Sequence, residues 1–536
     1  MASRVLLQQN ICGATTRSNL VKVGLGDSLN LYPETQDVNT HSCQLVMRSA
    51  SGEAEFTDYE FDGKCRGMFR VSRGFDGNPV LYAVFGNGLY LITSTRQVHK
   101  VADIHTYDTE VRMCETGGYN DAHPHLMLVD GLECYAVDVT VPVATQRVDF
   151  RTIALPHRPN DEFVNCHPTH IQYLFGYLVM TDQYTDAYYT SYLYPFETLD
   201  QNNEIDYDIW RVGSTGGIGF ISFSDWCTDN TTALIAAGSK FYTFGPRSWQ
   251  AWSYNDDKNA PFTSPDNAAG TIGLLAVNSL AALGNSVFWL GSSDVGENGV
   301  FMLQGTNLVR ISTDDIEREL VQMTHPEAAY SSVWQEHHHV FYSLTFEESK
   351  LTYVYDVLEK AWHRRASYTS NNNLTYWRYK YATFAYNRTM VASGHKLCYM
   401  DENKYDEHDG RKILKMRRGA VVTSNDQPFF IDAAEIICNN GQHSTKFFNL
   451  TDGSLLQPTD DTELNPRIAI RYSWDGATFS DYEDYYLGKI GQYEWSTTAW
   501  HLGCGRYFTL EISTTEKIPF SIQNLKLSWS PCGVFV

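Results

Sequence analysis

Short apolar, β-prone segments recur along most of this chain, and glycine-centred turns join them in pairs. Residues 81–85 (LYAVF) pass through Gly86-Asn87-Gly88 into 89–92 (LYLI). Asn and Gly favour the φ > 0 turns of hairpins, and the flanks suit strands. The same unit returns at 126–137 through Asp130-Gly131, at 172–180 through Gly176, and at 233–244 through Gly238. Later copies lie at 283–290, 339–344 and 382–385. Period-2 alternation dominates, and helical periodicity is nearly absent. Second strands begin about every 45–60 residues, the spacing of four-stranded propeller blades. The reading is an all-β chain: a β-propeller of six to seven blades over 66–405, preceded by N-terminal strands and an arm over 1–65.

One stretch departs from the pattern. In 314–323 Ile316, Leu320 and Met323 share one helical face, and Ser312 with Asp315 reads as a capping pair. A short helix is expected there. Near residue 400 an acidic run (401–409, DENKYDEHD) meets a basic one (411–418, RKILKMRR). That charge step reads as a domain boundary. Strands at 428–437, 467–473 and a last run to 536 then form a C-terminal β-sandwich-like domain over 406–536.

Charge narrows the function. Lys and Arg number 41 against 63 Asp and Glu, a net −22. Tight duplex binding needs many cationic contacts to phosphates, so a DNA-gripping protein is disfavoured. A protein that lets DNA slide past is not. The 11 cysteines contain no C-x-x-C pair and suit a chain folded in a reducing cytoplasm. The apolar run Val5, Leu6, Leu7 is too short for a secretory signal, and no segment approaches the ~18–20 residues of a spanning helix. The sequons at Asn230, Asn373, Asn387 and Asn449 then read as chance matches.

Candidate chemistry is sparse. Gly213-Ser214-Thr215-Gly216-Gly217-Ile218-Gly219 lacks the Gly-Lys-[Ser/Thr] ending of a phosphate loop and reads as a turn. His337-His338-His339 reads as a polar strand start, where only His337 and His339 share a face, too few for structural zinc. Residues 401–407 lack the glycine and oxygen ligands of a calcium loop and read as a solvated loop. Ser473-Trp474-Asp475-Gly476-Ala477-Thr478-Phe479 is one residue short of a sialidase Asp-box. It raises the alternative of a propeller glycosidase acting on host surface polysaccharide, but convergent acids are not evident. No catalytic residue, cofactor or metal is assigned.

Five blocks, in order along the chain, resemble the tail-hub or packaged-DNA stabilisation proteins of short-tailed bacteriophages. They are Leu29-Asn30-Leu31-Tyr32-Pro33-Glu34; Asn285-Ser286-Val287-Phe288-Trp289-Leu290-Gly291; Val309-Arg310-Ile311-Ser312-Thr313 with Ile316-Glu317; Tyr355-Asp356-Val357 with Trp362-His363-Arg364-Arg365-Ala366-Ser367; and Arg471-Tyr472-Ser473-Trp474-Asp475-Gly476 with Leu487-Gly488-Lys489-Ile490-Gly491-Gln492-Tyr493. Asp314-Asp315 departs from the His-Ala that relatives often carry.

The resemblance implies a non-enzymatic virion tail component, the nozzle or hub, made in the host cytoplasm. It implies a hexameric ring below the portal and head-to-tail adaptor ring, with tail fibres, tailspikes or a needle attached. The lumen would retain double-stranded DNA and conduct it during ejection, without tight binding. Arg411, Lys412, Lys415, Arg417 and Arg418 are the candidate contacts. They either pause the passing DNA or pair with acidic loops of a neighbouring subunit, and a heterologous ring interface favours the second. A receptor-binding trimer is the other alternative, but no fibrous low-complexity repeat is present.

Overall fold

A computed structural model describes residues 5–9, 11–17, 25–36, 45–117, 124–140, 150–155, 166–183, 185–197, 205–210, 220–222, 229–257, 260–293, 296, 298–442 and 465–532. Seven antiparallel blades follow one another. Blade one holds Cys65–Val71, Val80–Phe85, Gly88–Ile92 and Val98–Asp103. Blades two, three and four occupy 112–153, 168–222 and 233–270. Blade five spans 272–310, its inner strand split into Ile272–Leu274 and Ala281–Leu283. Blade six is Tyr330–Glu336, His339–Phe346, Leu351–Asp356 and Ala361–Tyr368. Blade seven takes three strands from 380–401 and its fourth, outermost one, Gly52–Glu55, from the N-terminal region. The innermost strands neighbour one another in turn, and the last lies against the first, so the propeller is closed.

The sequence suggests half-buried alternation. The structure shows why the apolar runs are instead nearly continuous. Every residue of Val80–Phe85 is buried, because the blade packs on both faces. Period 2 then sorts the side chains. Tyr82 and Val84 pack against Val111, Leu126 and Leu128 of blade two. Leu81, Ala83 and Phe85 pack against Met390, Ala392 and Leu397 of blade seven. The turn between this strand and the next is Gly86-Asn87, and Gly86 takes the positive φ of 55°. A Cβ there would lie 2.1 Å from the Asp62 carbonyl oxygen.

Most of the remaining described strands form a two-sheet sandwich. One sheet orders Leu31–Thr35, Leu45–Ser49, Ser521–Pro531, Phe429–Cys438 and Thr497–Gly505, with Val5–Gln9 also on Ser521–Pro531. The other orders Leu25–Leu29, Lys415–Arg418, Tyr507–Thr514, Arg467–Ser473 and Glu483–Tyr486. Between them lie Leu31, Met47, Ile431, Ile470, Ile512 and Leu527. The first 65 residues thus supply strands to the propeller and to both sheets of the sandwich.

The helix forms at Asp314–Gln322 with Ile316 and Leu320 buried. Its N-cap is Thr313, without a side-chain cap bond, so the expected Ser312–Asp315 capping pair does not form. Ser312 instead accepts the Val300 N–H at 3.0 Å and donates to Glu317 at 2.5 Å. Among the described residues no helix is long and apolar enough to cross a membrane.

Candidate functional site at the seam and the propeller axis

Leu25–Leu29 lies between the last strand of blade six and Lys415–Arg418, pairing parallel to one and antiparallel to the other. One hydrogen-bonded sheet therefore runs from blade six into the sandwich. Two residues fix this seam. Asn30, at φ 52°, donates to the carbonyls of Ala366 (3.1 Å) and Leu414 (2.8 Å) and accepts the Ala366 N–H at 3.1 Å. Arg364 forms an ion pair with Asp27. Asn is among the side chains that tolerate this left-handed backbone, which explains its use at the crossover.

Behind the seam lies a buried charged network. Arg365 and Glu336, 1% and 2% exposed, pair at 2.7 Å. The Arg365 guanidinium lies over the rings of Trp334, Phe341 and Trp377, 5.0–5.4 Å from their centroids. Burial alone would raise the Glu336 pKa, but Arg365 and the Ser51 N–H, at 2.7 Å, outweigh it and hold the carboxyl at about 2. Glu53, on the closing strand of blade seven, is the opposite case. Burial, reinforced by Glu407, pushes it up to about 8. It accepts the Trp377 indole N–H at 3.3 Å through one oxygen, and the other has no partner. It is a neutral acid at pH 7. Glu407 pairs with Arg378 at 3.1 Å, and burial raises its pKa too.

The basic run is mostly drawn inside. Lys415 is fully buried and donates to the carbonyls of Glu516 (3.0 Å) and Ile518 (2.8 Å), and burial lowers its pKa to about 7. Arg417 is buried and donates to the Ile11 carbonyl at 2.7 Å. Arg418 donates to Glu511 at 2.8 Å, and Arg471 takes that carboxylate's other oxygen at 2.7 Å. Arg411 bonds the Tyr368 carbonyl (2.8 Å) and pairs with Asp409 (3.1 Å). Of the five, only Lys412 is exposed. The run knits the sandwich to the seam within one chain.

Other candidates resolve locally. His337 and His338 are a hairpin turn, both at positive φ (47° and 69°), rather than a strand start. His339 is buried and meets Asp356 at 2.6 Å. The acidic loop is only partly solvated, since Glu407 is 2% exposed. The Asp-box-like segment is a tight turn in which Asp475 accepts the N–H groups of Ala477 (2.8 Å) and Thr478 (2.7 Å). Gly213 to Gly219 fall outside the described residues.

At the propeller axis, Arg112 of blade two reaches Asn278 of blade five at 2.8 Å. In a ring of seven these blades stand on opposite sides. A side chain thus spans the central channel, and the propeller itself is no passage for a duplex. Sequence reasoning missed Glu53, Glu336, Arg365, Arg112 and Asn278. For the first three, the available signal was a charge inside or beside an aromatic strand segment, as in 331–336 (SSVWQE) and 361–368 (AWHRRASY). Nothing in the spacing of Arg112 and Asn278 marks them as partners.

The class is therefore a closed seven-bladed β-propeller joined through shared strands to a β-sandwich. Residues 222–404, covering blades four to six and three of the four strands of blade seven, match the family described as Bacteriophage P22 Gp10, beta-propeller. The resemblance carried by the sequence blocks is borne out there, and the match supports a structural protein of a phage tail. No curated protein matches the chain. Among solved structures, the extracellular domain of a one-component system from B. thetaiotaomicron aligns at 10% identity and TM-score 0.39, over 73% of this chain and 44% of that one. The chain thus spans less than half of that structure's length. The Cps50 (Swd1) β-propeller domain of Myceliophteria thermophila aligns at 9% identity and TM-score 0.39, over 65% of this chain and all of that one. Similarity this low carries no argument about function.

Proposed function

We propose that this chain is the subunit of a ring in a short phage tail, the nozzle or hub. Six copies surround a lumen that retains packaged double-stranded DNA and conducts it during ejection. The family match over 222–404 supports the tail assignment. The bridged axis supports the ring: with Arg112 and Asn278 joined across the propeller, a passage for DNA has to lie between copies. The net charge of −22 suits a wall that does not grip phosphates. The sheet shared by propeller and sandwich gives a rigid subunit, as a pressurised conduit requires. The adaptor ring above, and fibres, tailspikes or a needle, are the partners this reading assigns. Of the basic run, Lys412 is the residue exposed enough to meet a neighbouring subunit.

Mass measurement and imaging of the purified protein test this. A six-membered ring with an open centre is expected, with duplex DNA failing to bind at ordinary ionic strength. A monomer in mature virions, a trimer, or tight salt-resistant DNA binding would refute it.

A further inference from the structure

Two sets of charged groups beside the inner strands of blades seven and two differ in how far they are satisfied. Lys380 of blade seven pairs with Glu110 at 2.5 Å, and Tyr381 donates to the same carboxylate. That set is neutral. Arg112, two residues beyond Glu110, has no acidic partner within ion-pair distance among the described residues. Its guanidinium instead donates to the neutral Asn278 amide oxygen, 2.8 Å away across the axis.

Beside it on blade three is His170, 3% exposed. The inner strands of blades two and three are neighbours. Burial, with the nearby charge of Arg112, pushes the His170 pKa well down, so its ring is neutral. Nδ1 lies 3.0 Å from the Thr169 hydroxyl, while Nε2 is buried with no partner. A half-buried guanidinium with one neutral partner and an unmet ring nitrogen beside it lack the same thing, an acceptor that carries negative charge. The Thr169 hydroxyl also lies 3.4 Å from the Thr232 carbonyl; in the tautomer in which Nδ1 accepts from Thr169, Nε2 carries the ring proton and can donate it.

We propose that the propeller axis is an anion site, in which Arg112 and His170 together take a phosphate or carboxylate group. The guanidinium fork matches two oxygens of such a group, and Asn278 fixes the fork from the far side. A chain this acidic repels anions in general. One anion bound per chain would therefore report a built site, not unspecific attraction.

The test is titration of the full-length protein with inorganic phosphate and, separately, with a short capped Asp/Glu peptide. Uptake of one equivalent of either is expected, weakened at least about tenfold, or ~1.4 kcal/mol, in Arg112→Met. Tighter phosphate binding makes the natural ligand a free ion, and tighter peptide binding makes it a partner's carboxylate. Either outcome supports the site. Binding of neither probe at about 10 mM, or equal binding by Arg112→Met, overturns it. Should Arg112→Met fail to fold, selenate soaked into wild-type crystals decides. Anomalous density between Arg112 and His170 supports the proposal, and density elsewhere or none refutes it.

Discussion

The interface between blades one and two and the seam between blade six and the sandwich bury strands of similar length with opposite chemistry. The first is a packed apolar layer: Val71, Tyr82, Val84, Leu89 and Leu91 meet Met113, Leu126, Leu128 and Val137. The second holds Arg364 and Asp27 and is backed by Arg365, Glu336, Glu53 and Glu407, with aromatic rings around Arg365. Apolar layers stabilise without direction, and in this one the neighbours in space are also neighbours in sequence. The seam joins segments more than 300 residues apart. There, paired charges and the bifurcated amide of Asn30 select one register among many that greasy strands could adopt. We read the ionic network as specifying the join more than strengthening it.

Four experiments would break or sharpen that contrast. The largest effect is expected from deleting residues 1–55. This removes the outer strand of blade seven, the seam strand and three further strands of the sandwich, so calorimetry should show no cooperative transition. Next is Glu336→Ala, which strands the buried Arg365 and should cost about 3–5 kcal/mol in denaturant unfolding. Replacing Glu336 and Arg365 together with Met should cost less than that single change. If the double variant is the less stable, the network is a net stabiliser and the contrast fails. In the apolar interface, Leu128→Ala should cost about 2–5 kcal/mol. It should show no such coupling to a partner residue.

The smallest effect concerns pH. Glu53 titrates near 8 in the folded chain, against an ordinary 4.5. Between those values the native state holds a proton that the unfolded state has released. Stability from this group is therefore full below about 4.5 and declines as pH rises towards 8. The slope is at most about 1.4 kcal/mol per pH unit. Glu336 has the opposite sign: its contribution is present above about 4.5 and fades as pH falls towards 2. Glu53→Gln should flatten the stability profile between pH 5 and 8 relative to wild type. An unchanged slope would mean that Glu53 is already ionised.

Local pairing was legible because it is encoded within a few residues. The turn at Gly86-Asn87, the strands on either side of it and the helix at Asp314–Gln322 each follow from neighbouring side chains and backbone freedom. The blade spacing, the switch in charge near residue 410 and the tail-protein blocks were likewise readable in linear order. Which strand closes the ring was not. Gly52–Glu55 joins blade seven across some 345 residues, and a period of two says which face a residue presents but not which strand it meets. The same limit turned the basic run around. Lys415 and Arg417 look like surface charges in sequence, yet they are buried because a sandwich strand needed donors for the carbonyls of Glu516, Ile518 and Ile11. Composition and periodicity determined a strand-rich, acidic chain of repeating blades. Tertiary packing alone decided its closure, its seam and the Arg112–Asn278 bridge, because each depends on contacts between residues that no local pattern relates.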